Sequence, residues 1–228
     1  MNAGRKRGRA ERLRWMHDQL AEAYGPQHWW PARTPFEVVL GAYLTQNTAW
    51  KAVERSLENL RAAGALTVEG VRVLPLDKLR ICIQPSGFYM RKALALKAFV
   101  EMLDAEFSGS LEELAATPTA ALRERLLDLP GVGPETADAI LLYALGHSVP
   151  VADEYLRRIA ERHGLVSLPK GAKSYTALAG LTREAFAGEG AEEQAGLFNE
   201  FHALTVAVGK AHCGRTARCG GCPLAGDF

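Results

Sequence analysis

The chain has 228 residues, of which 48% are hydrophobic, and its formal net charge is +1 at pH 7. This length and apolar content are ample for one large domain or two closely packed domains. No apolar run approaches the roughly 20 residues that cross a bilayer, and the basic start lacks the apolar stretch of a signal peptide. These features argue against a membrane-spanning helix and predict a soluble, cytoplasmic protein.

The first residues form a basic cluster. Its members are Arg5, Lys6, Arg7, Arg9, Arg12 and Arg14. Such a cluster suits a flexible arm that lies near phosphates, and the alternative is a solvated, disordered tail.

Helical patterns dominate the rest of the chain. Apolar residues recur at helical spacing in segments 53–62, 91–106, 134–145 and 194–210. Thr34 and Pro35 carry the signature of a helix start. Because strand signals are nearly absent, the sequence predicts an all-α protein.

A short glycine-containing turn separates two of these helices. A predicted helix over 120–127 is followed by Leu129-Pro130-Gly131-Val132-Gly133, and Pro134 then suits the first turn of the next helix. Both glycines allow positive φ, which would bring backbone amides together at the helix start. These amides would hold a nucleic-acid phosphate, directly or through a bound monovalent cation. An ordinary turn between helices is the alternative.

Two further features have chemical meaning. Asp153 directly precedes a helical run over 154–162, where a carboxylate would cap the helix. Cys213, Cys219 and Cys222 lie close together in a chain without a secretory signal, which favours metal binding over disulfides.

The turn over 129–133, the following Thr136-Ala137 and the downstream Asp153 together resemble the helix-hairpin-helix DNA glycosylase superfamily, in its endonuclease III branch. Segments 29–32, 44–48 and 85–89 are most similar to the endonuclease III-related proteins that include 3-methyladenine DNA glycosylases. The resemblance covers most of the chain.

The resemblance implies a two-lobed helical fold. Residues 34–147 would form a central helical barrel that contains the hairpin. Residues 1–33 and 148–228 would form a terminal domain with a C-terminal cysteine-cluster loop. A monomer would bind double-stranded DNA with a damaged base in a cleft between the lobes. The predicted contacts at the hairpin are Leu129, Gly131, Val132, Gly133 and Thr136.

The resemblance also implies a reaction. Asp153 would stabilise the positive charge that develops as the N-glycosidic bond breaks, and it would orient the attacking water. Family members that also cut the strand carry a lysine two residues after the second hairpin glycine, whereas this chain has Glu135. Because a glutamate cannot form a Schiff base, we expect hydrolysis without lysine-dependent lyase activity.

A flipped base needs a wedge and a pocket. The resemblance assigns the wedge to Gln46 or Asn47, whose amides could otherwise bond the backbone. The predicted substrate pocket comprises Trp29, Trp30, Trp50, Glu135 and Lys210. Aromatic rings attract a cationic alkylated purine by roughly 0.5 to 2 kcal/mol per good contact. Core packing is the alternative for each tryptophan.

The cysteines match the family's [4Fe-4S] motif incompletely. The family spaces its four ligands by six, two and five residues, whereas here the first two spacings are five and two and Phe228 falls at the fourth position. Asp227, His212, an external thiol or water could complete the cluster, and a three-iron centre is conceivable. Zinc held by three cysteines and a histidine is the alternative.

The leading functional hypothesis is a monofunctional DNA glycosylase of base excision repair, with alkylated purines such as 3-methyladenine as the favoured substrates. One alternative is an endonuclease III-like glycosylase for oxidised or mismatched bases. A second is a non-catalytic DNA-binding module that uses the hairpin only to bind phosphate.

Overall fold

A computed structural model describes residues 7–167 and 171–227. The described residues form twelve α-helices and no β-strand, so the predicted all-α class is confirmed. In chain order the helices are α1 (Arg9–Tyr24), α2 (Pro35–Thr45), α3 (Trp50–Ala62), α4 (Val68–Val73), α5 (Leu76–Ile83), α6 (Tyr89–Phe107), α7 (Leu111–Ala115), α8 (Thr119–Leu127), α9 (Pro134–Ala139), α10 (Glu154–Arg162), α11 (Ala172–Ala185) and α12 (Ala191–Ala211). Short 3-10 turns lie at Gln84–Ser86 and Ala225–Asp227, and a π-helical turn at Ile140–Ala144.

The helix starts follow the sequence signals closely. Thr34 accepts a hydrogen bond from the Glu37 amide at 3.2 Å, and Pro35 occupies the first turn of α2. The helix predicted over 134–145 is instead α9 followed by the π-helical turn. None of the helices in residues 7–167 and 171–227 is long and apolar enough to cross a membrane.

The prediction of a flexible basic arm is wrong for its described C-terminal part. Arg9, Arg12 and Arg14 belong to α1, and Arg14 pairs with Glu189 at 3.0 Å. Arg5 and Lys6 lie outside the described residues. Apolar positions of α1 explain the difference, because Leu13, Met16 and Leu20 are buried and fix this segment as a helix.

The chain divides into two compact units. The hairpin unit spans Trp30–His147, and the terminal unit contains the described residues up to Trp29 and from Ser148 onward. In the hairpin unit α2 is nearly wholly buried, and Tyr43 meets Phe99 edge to face with ring centres 6.2 Å apart. In the terminal unit Phe186 contacts Phe198 and Phe201. Each unit therefore has its own aromatic core.

A buried ion-pair network joins α1 to the C-terminal segment of the terminal unit. Arg12 Nε donates to Asp227 Oδ1 at 2.9 Å, and His163 Nδ1 lies 2.9 Å from Asp227 Oδ2. Burial alone would raise the pKa of Asp227, but hydrogen bonds from Arg12 and His163 outweigh burial and hold the pKa below its ordinary value. The ionised carboxylate therefore stabilises the fold.

Replacing Asp227 with Asn should lower the free energy of unfolding at pH 7 by about 1–3 kcal/mol, because Arg12 loses its charged partner and both Arg12 and His163 lose hydrogen bonds to a carboxylate. The stabilisation exists above the pKa of the unfolded carboxyl and disappears as pH falls through the lower folded value. The gap between wild type and variant should therefore shrink in acid, as measured by urea unfolding across pH. Asp77→Asn is the matched control, since Asp77 pairs with Arg80 while 87% exposed. An equal effect of the two substitutions would contradict the network's role.

Candidate functional site

The hairpin begins where α8 ends. Val132 donates to the Leu129 carbonyl at 3.2 Å, closing the turn, and Gly131 has φ +79°. Leu129 and Val132 are 7% and 9% exposed, so their side chains anchor the turn in the core. Any contact that these two residues make with a ligand therefore involves their backbone.

The second hairpin glycine differs from the first. Gly133 precedes α9 with φ −102° and ψ 177°, which is ordinary extended backbone, so of the two glycines that allow positive φ only Gly131 adopts it. A Cβ at Gly133 would meet no protein atom within 4 Å. The bare backbone here is thus open to the close approach of a ligand.

The two wedge candidates have different environments. Gln46 Nε2 donates to the Gly131 carbonyl at 2.9 Å and to Thr136 Oγ1 at 2.8 Å. Asn47 is exposed and left-handed, with φ +50°. Gln46 and Thr136 therefore brace the hairpin, while Asn47 forms the tip of its loop.

An aromatic cluster lies in the hairpin unit. The Trp30 ring centre lies 5.6 Å from that of Trp50, at an interplanar angle of 79°, and 5.3 Å from that of Tyr143. The close packing depends on Gly41, because a Cβ there would come within 3.1 Å of the Trp30 indole. All three rings are partly exposed. Tyr143 was not singled out from the sequence.

The other predicted pocket residues have separate settings. In the terminal unit Lys210 Nζ lies 5.9 Å from the centre of the Trp29 ring, a weak cation-π contact. Glu135 is exposed in the first turn of α9, in the hairpin unit. The predicted pocket set is therefore divided between the two units.

Asp153 caps α10, as its sequence position predicts. Oδ1 accepts the Leu156 amide hydrogen at 2.8 Å, and Oδ2 lies 3.7 Å from His202 Nε2 on α12. Both side chains belong to residues only 8% exposed. The cap uses one carboxylate oxygen and fixes the direction of the other. His202 was visible in the sequence only as a polar break in an apolar helix.

The three C-terminal cysteines line one cavity of about 190 Å³ in the terminal unit. Burial raises the pKa of Cys222, and the neighbouring Cys213 and Cys219 raise it further. Arg162 fixes the loop: it donates to Cys213 Sγ at 3.0 Å and to the carbonyls of Gly214 and Arg215. A shared cavity is the arrangement that several thiolates of one cluster require.

The remaining ligand candidates differ in availability. Asp227 is engaged by Arg12 and His163, and Phe228 lies outside the described residues. His212 also lines the cavity, with Nδ1 3.0 Å from the Arg218 carbonyl oxygen. Within the described ranges no three His, Cys, Asp or Glu side chains converge on one metal ion.

A helical chain with a glycine hairpin and a buried carboxylate at a later helix start defines the class of helix-hairpin-helix proteins that act on DNA bases. The chain belongs to the HhH-GPD superfamily of base excision DNA repair proteins, whose pattern matches residues 40–183. A protein of Methanocaldococcus jannaschii, provisionally named a DNA repair glycosylase, is 40% identical over 223 residues and covers 96% of each chain.

Solved structures agree with this assignment. The 3-methyladenine DNA glycosylase of H. pylori, bound to 1,N6-ethenoadenine, superimposes with a TM-score of 0.75 and 31% identity over 90% of this chain and 98% of that one. Endonuclease III in a non-covalent DNA complex gives a TM-score of 0.75 at 22% identity, over 95% and 94% of the two chains. The second similarity concerns the fold alone.

One exposed aromatic residue was missed from the sequence. Phe88 is 66% exposed and left-handed, with φ +47°, directly before α6. Positive φ is uncommon for a bulky residue such as phenylalanine, and such strained positions cluster at functional sites. The segment 85–89 carries part of the family resemblance, and an aromatic residue directly after a Pro-Ser-Gly turn was the signal that could have indicated an exposed side chain.

Proposed function

We propose that this protein is a monofunctional DNA glycosylase that flips a damaged base from duplex DNA and hydrolyses its N-glycosidic bond. The observation that carries the proposal is the fixed, buried carboxylate of Asp153, within a chain of a base excision repair superfamily. We assign Asp153 as the catalytic residue.

The geometry of Asp153 suits hydrolysis. Because the Leu156 amide holds Oδ1, the carboxylate cannot rotate freely, and Oδ2 keeps one direction. A carboxylate held in this way stabilises an oxocarbenium-like sugar and orients the attacking water without reorganising during the reaction. The water oxygen bonds to C1′ and gives up a proton to the Asp153 carboxylate, which passes it to solvent. The bond to the base nitrogen breaks, and the base leaves with that electron pair, so a cationic alkylated purine leaves as a neutral one.

The hairpin unit would supply the grip on DNA. We propose that amides of the turn over 129–133 hold a backbone phosphate, directly or through a monovalent cation, with Thr136 and Gln46 bracing the turn. Asn47 and Phe88, as exposed loop tips, would fill the space that the flipped base leaves. The protein would bind double-stranded DNA as a monomer.

Alkylated purines are the proposed substrates. The partly exposed cluster of Trp30, Trp50 and Tyr143 offers ring faces and edges that favour a cationic base. The positive charge also weakens the glycosidic bond, so less acid catalysis is needed. The relative in H. pylori is a 3-methyladenine glycosylase, which supports this class.

The test is a release assay over a panel of duplexes that carry N-methylated purines, 1,N6-ethenoadenine, oxidised pyrimidines or mismatched bases. We expect the N-methylated purines to be released fastest. Preferential release of an oxidised or mismatched base would favour the endonuclease III-like alternative. DNA binding without release of any base would favour the non-catalytic binding module.

The glutamate at position 135 leads to a separate prediction about strand cleavage. Lacking an amine at this position, the protein should form no Schiff base with the sugar, so borohydride should trap no covalent adduct. The measurement is gel electrophoresis after reduction of protein with abasic duplex DNA. Glu135→Lys is the informative comparison, because it restores an amine at the helix start. A strong adduct with wild-type protein would show that another amine attacks C1′.

We propose that Cys213, Cys219 and Cys222 hold an iron-sulfur cluster, with His212 as a further candidate ligand that lines the same cavity. Such a cluster would order the loop that presents the exposed Arg215 and Arg218, which suit phosphate contacts. Absorption in the violet-to-visible range with stoichiometric iron supports this assignment, whereas zinc alone in the purified protein contradicts it.

A further inference from the structure

A buried lysine lies beneath the two exposed loop tips of the hairpin unit. Lys92, on α6, is 4% exposed. Four oxygens lie within hydrogen-bond distance of its Nζ and share its three N–H donors: the carbonyls of Leu44 at 2.8 Å, Gln46 at 3.0 Å and Ser86 at 2.8 Å, and Thr48 Oγ1 at 2.9 Å. All four acceptors are neutral oxygens.

Burial in such a site carries a large desolvation cost for a lysine ammonium. An ammonium loses its hydration on burial and is retained only where hydrogen bonds replace the lost water. Burial lowers the pKa of Lys92 to about 8 for the same reason. A hydrophobic side chain would avoid this cost. The benefit of a lysine at this position must therefore lie in the geometry that its ammonium imposes on the acceptor oxygens.

The acceptors belong to two different loops. Leu44, Gln46 and Thr48 lie at the end of α2 and in the loop after it, whereas Ser86 lies in the 3-10 turn before α6. Thr48 Oγ1 also donates to the Ser86 carbonyl at 2.6 Å. The ammonium and this hydroxyl therefore tie the two loops to each other.

Each loop ends in a strained and exposed residue. Asn47 and Phe88 are non-glycine residues with φ +50° and +47°. A left-handed conformation costs a side-chain-bearing residue roughly 1–2 kcal/mol, and it persists only when the surroundings enforce it. Lys92 bonds the carbonyl of Gln46, which directly precedes Asn47, and the carbonyl of Ser86, two residues before Phe88, so it holds each loop close to its tip.

We propose that Lys92 is a positioning residue that locks the Asn47 and Phe88 loops into one rigid, two-tipped wedge for insertion into DNA. This inference rests on the proposed function, since a wedge is needed only if a base is flipped. Extruding a base costs stacking and pairing energy. When the wedge is already ordered before binding, none of the binding free energy is lost to ordering its loops.

The test compares Lys92→Met, which keeps the length and loses the donors, with Lys92→Arg, which keeps a cation. The probe is a duplex that carries one 1,N6-ethenoadenine beside 2-aminopurine, whose emission rises when its neighbour leaves the stack. We expect Lys92→Met to bind the duplex within about threefold of wild type but to lose the emission change and about 10- to 100-fold in single-turnover release. Lys92→Arg should recover part of both.

Lys97→Met is the matched control. Lys97 lies on the same helix, and its Nζ donates to the carbonyls of Val71 and Arg72 at 2.7 and 2.9 Å, away from both loops. It should flip and release the base as wild type does, even if it is less stable. A Lys92→Met protein that flips like Lys97→Met overturns the proposal.

Two further results keep the test decisive. If Lys92→Met fails to fold, Thr48→Val removes one acceptor and the direct link between the loops, and undiminished flipping by that variant overturns the proposal. If wild-type protein releases no base from any duplex of the panel, the proposed function fails instead. The two failures are therefore distinguishable.

Discussion

Replacing Asp153 with Asn should reduce base release by about 10²- to 10⁴-fold while leaving DNA affinity nearly unchanged. The substitution removes the negative charge, and with it the stabilisation of the developing sugar cation and the pull on the attacking water. Asparagine caps a helix about as well as aspartate, so the bond from the Leu156 amide can persist. The measurements are single-turnover release and equilibrium binding on the duplex that the panel selects.

Two comparison variants separate chemistry from structure. Glu154→Gln removes the next carboxylate, which is exposed and pairs with Arg157 at 2.7 Å, and it should release bases normally. Asp153→Ala removes the charge and the cap together, so it should also lose about 1 kcal/mol of stability. If Asp153→Asn released bases at the wild-type rate, the proposed mechanism would be wrong.

Features set by neighbouring residues could be predicted from the sequence. Thr34 and Asp153 were expected at helix starts, and both accept the predicted backbone hydrogen bonds. These assignments depend on local rules, in which a short polar side chain meets an amide three residues later. The all-α class follows from apolar spacing for the same reason.

Features that join distant segments could not be predicted in this way. Gln46 bonds Thr136 across 90 residues of sequence, and Lys92 reaches Leu44 across 48. An amide in a loop or a lysine in a helix carries no sign of its partner, because the partner is set by how helices pack. The sequence therefore indicated the loop at Gln46 and Asn47 but not their different environments.

Buried glycines within helices are a second kind of feature that could not be predicted from the sequence. Gly209 is such a glycine, and its substitution should have a large effect. Gly209 lies in α12, where a Cβ would fall 2.2 Å from Tyr155 Cδ1 on α10. Gly209→Ala should therefore lower the free energy of unfolding by about 1–3 kcal/mol through overpacking. It should also reduce base release by about 10- to 100-fold, because Tyr155 is two residues from Asp153 and a shift of the first turn of α10 misplaces the carboxylate. Urea unfolding and single-turnover release measure the two effects.

Gly196 provides the matched control on the same helix, since a Cβ there would meet nothing within 4 Å. Gly196→Ala should raise stability by about 0.5–1 kcal/mol and leave release unchanged, because alanine restricts the unfolded chain more than glycine does. Adding Tyr155→Ala to Gly209→Ala removes the ring that the new methyl group meets. The double variant should therefore be less destabilised than the sum of its single substitutions. Additive losses would mean that the cost of Gly209→Ala does not come from the contact between α10 and α12.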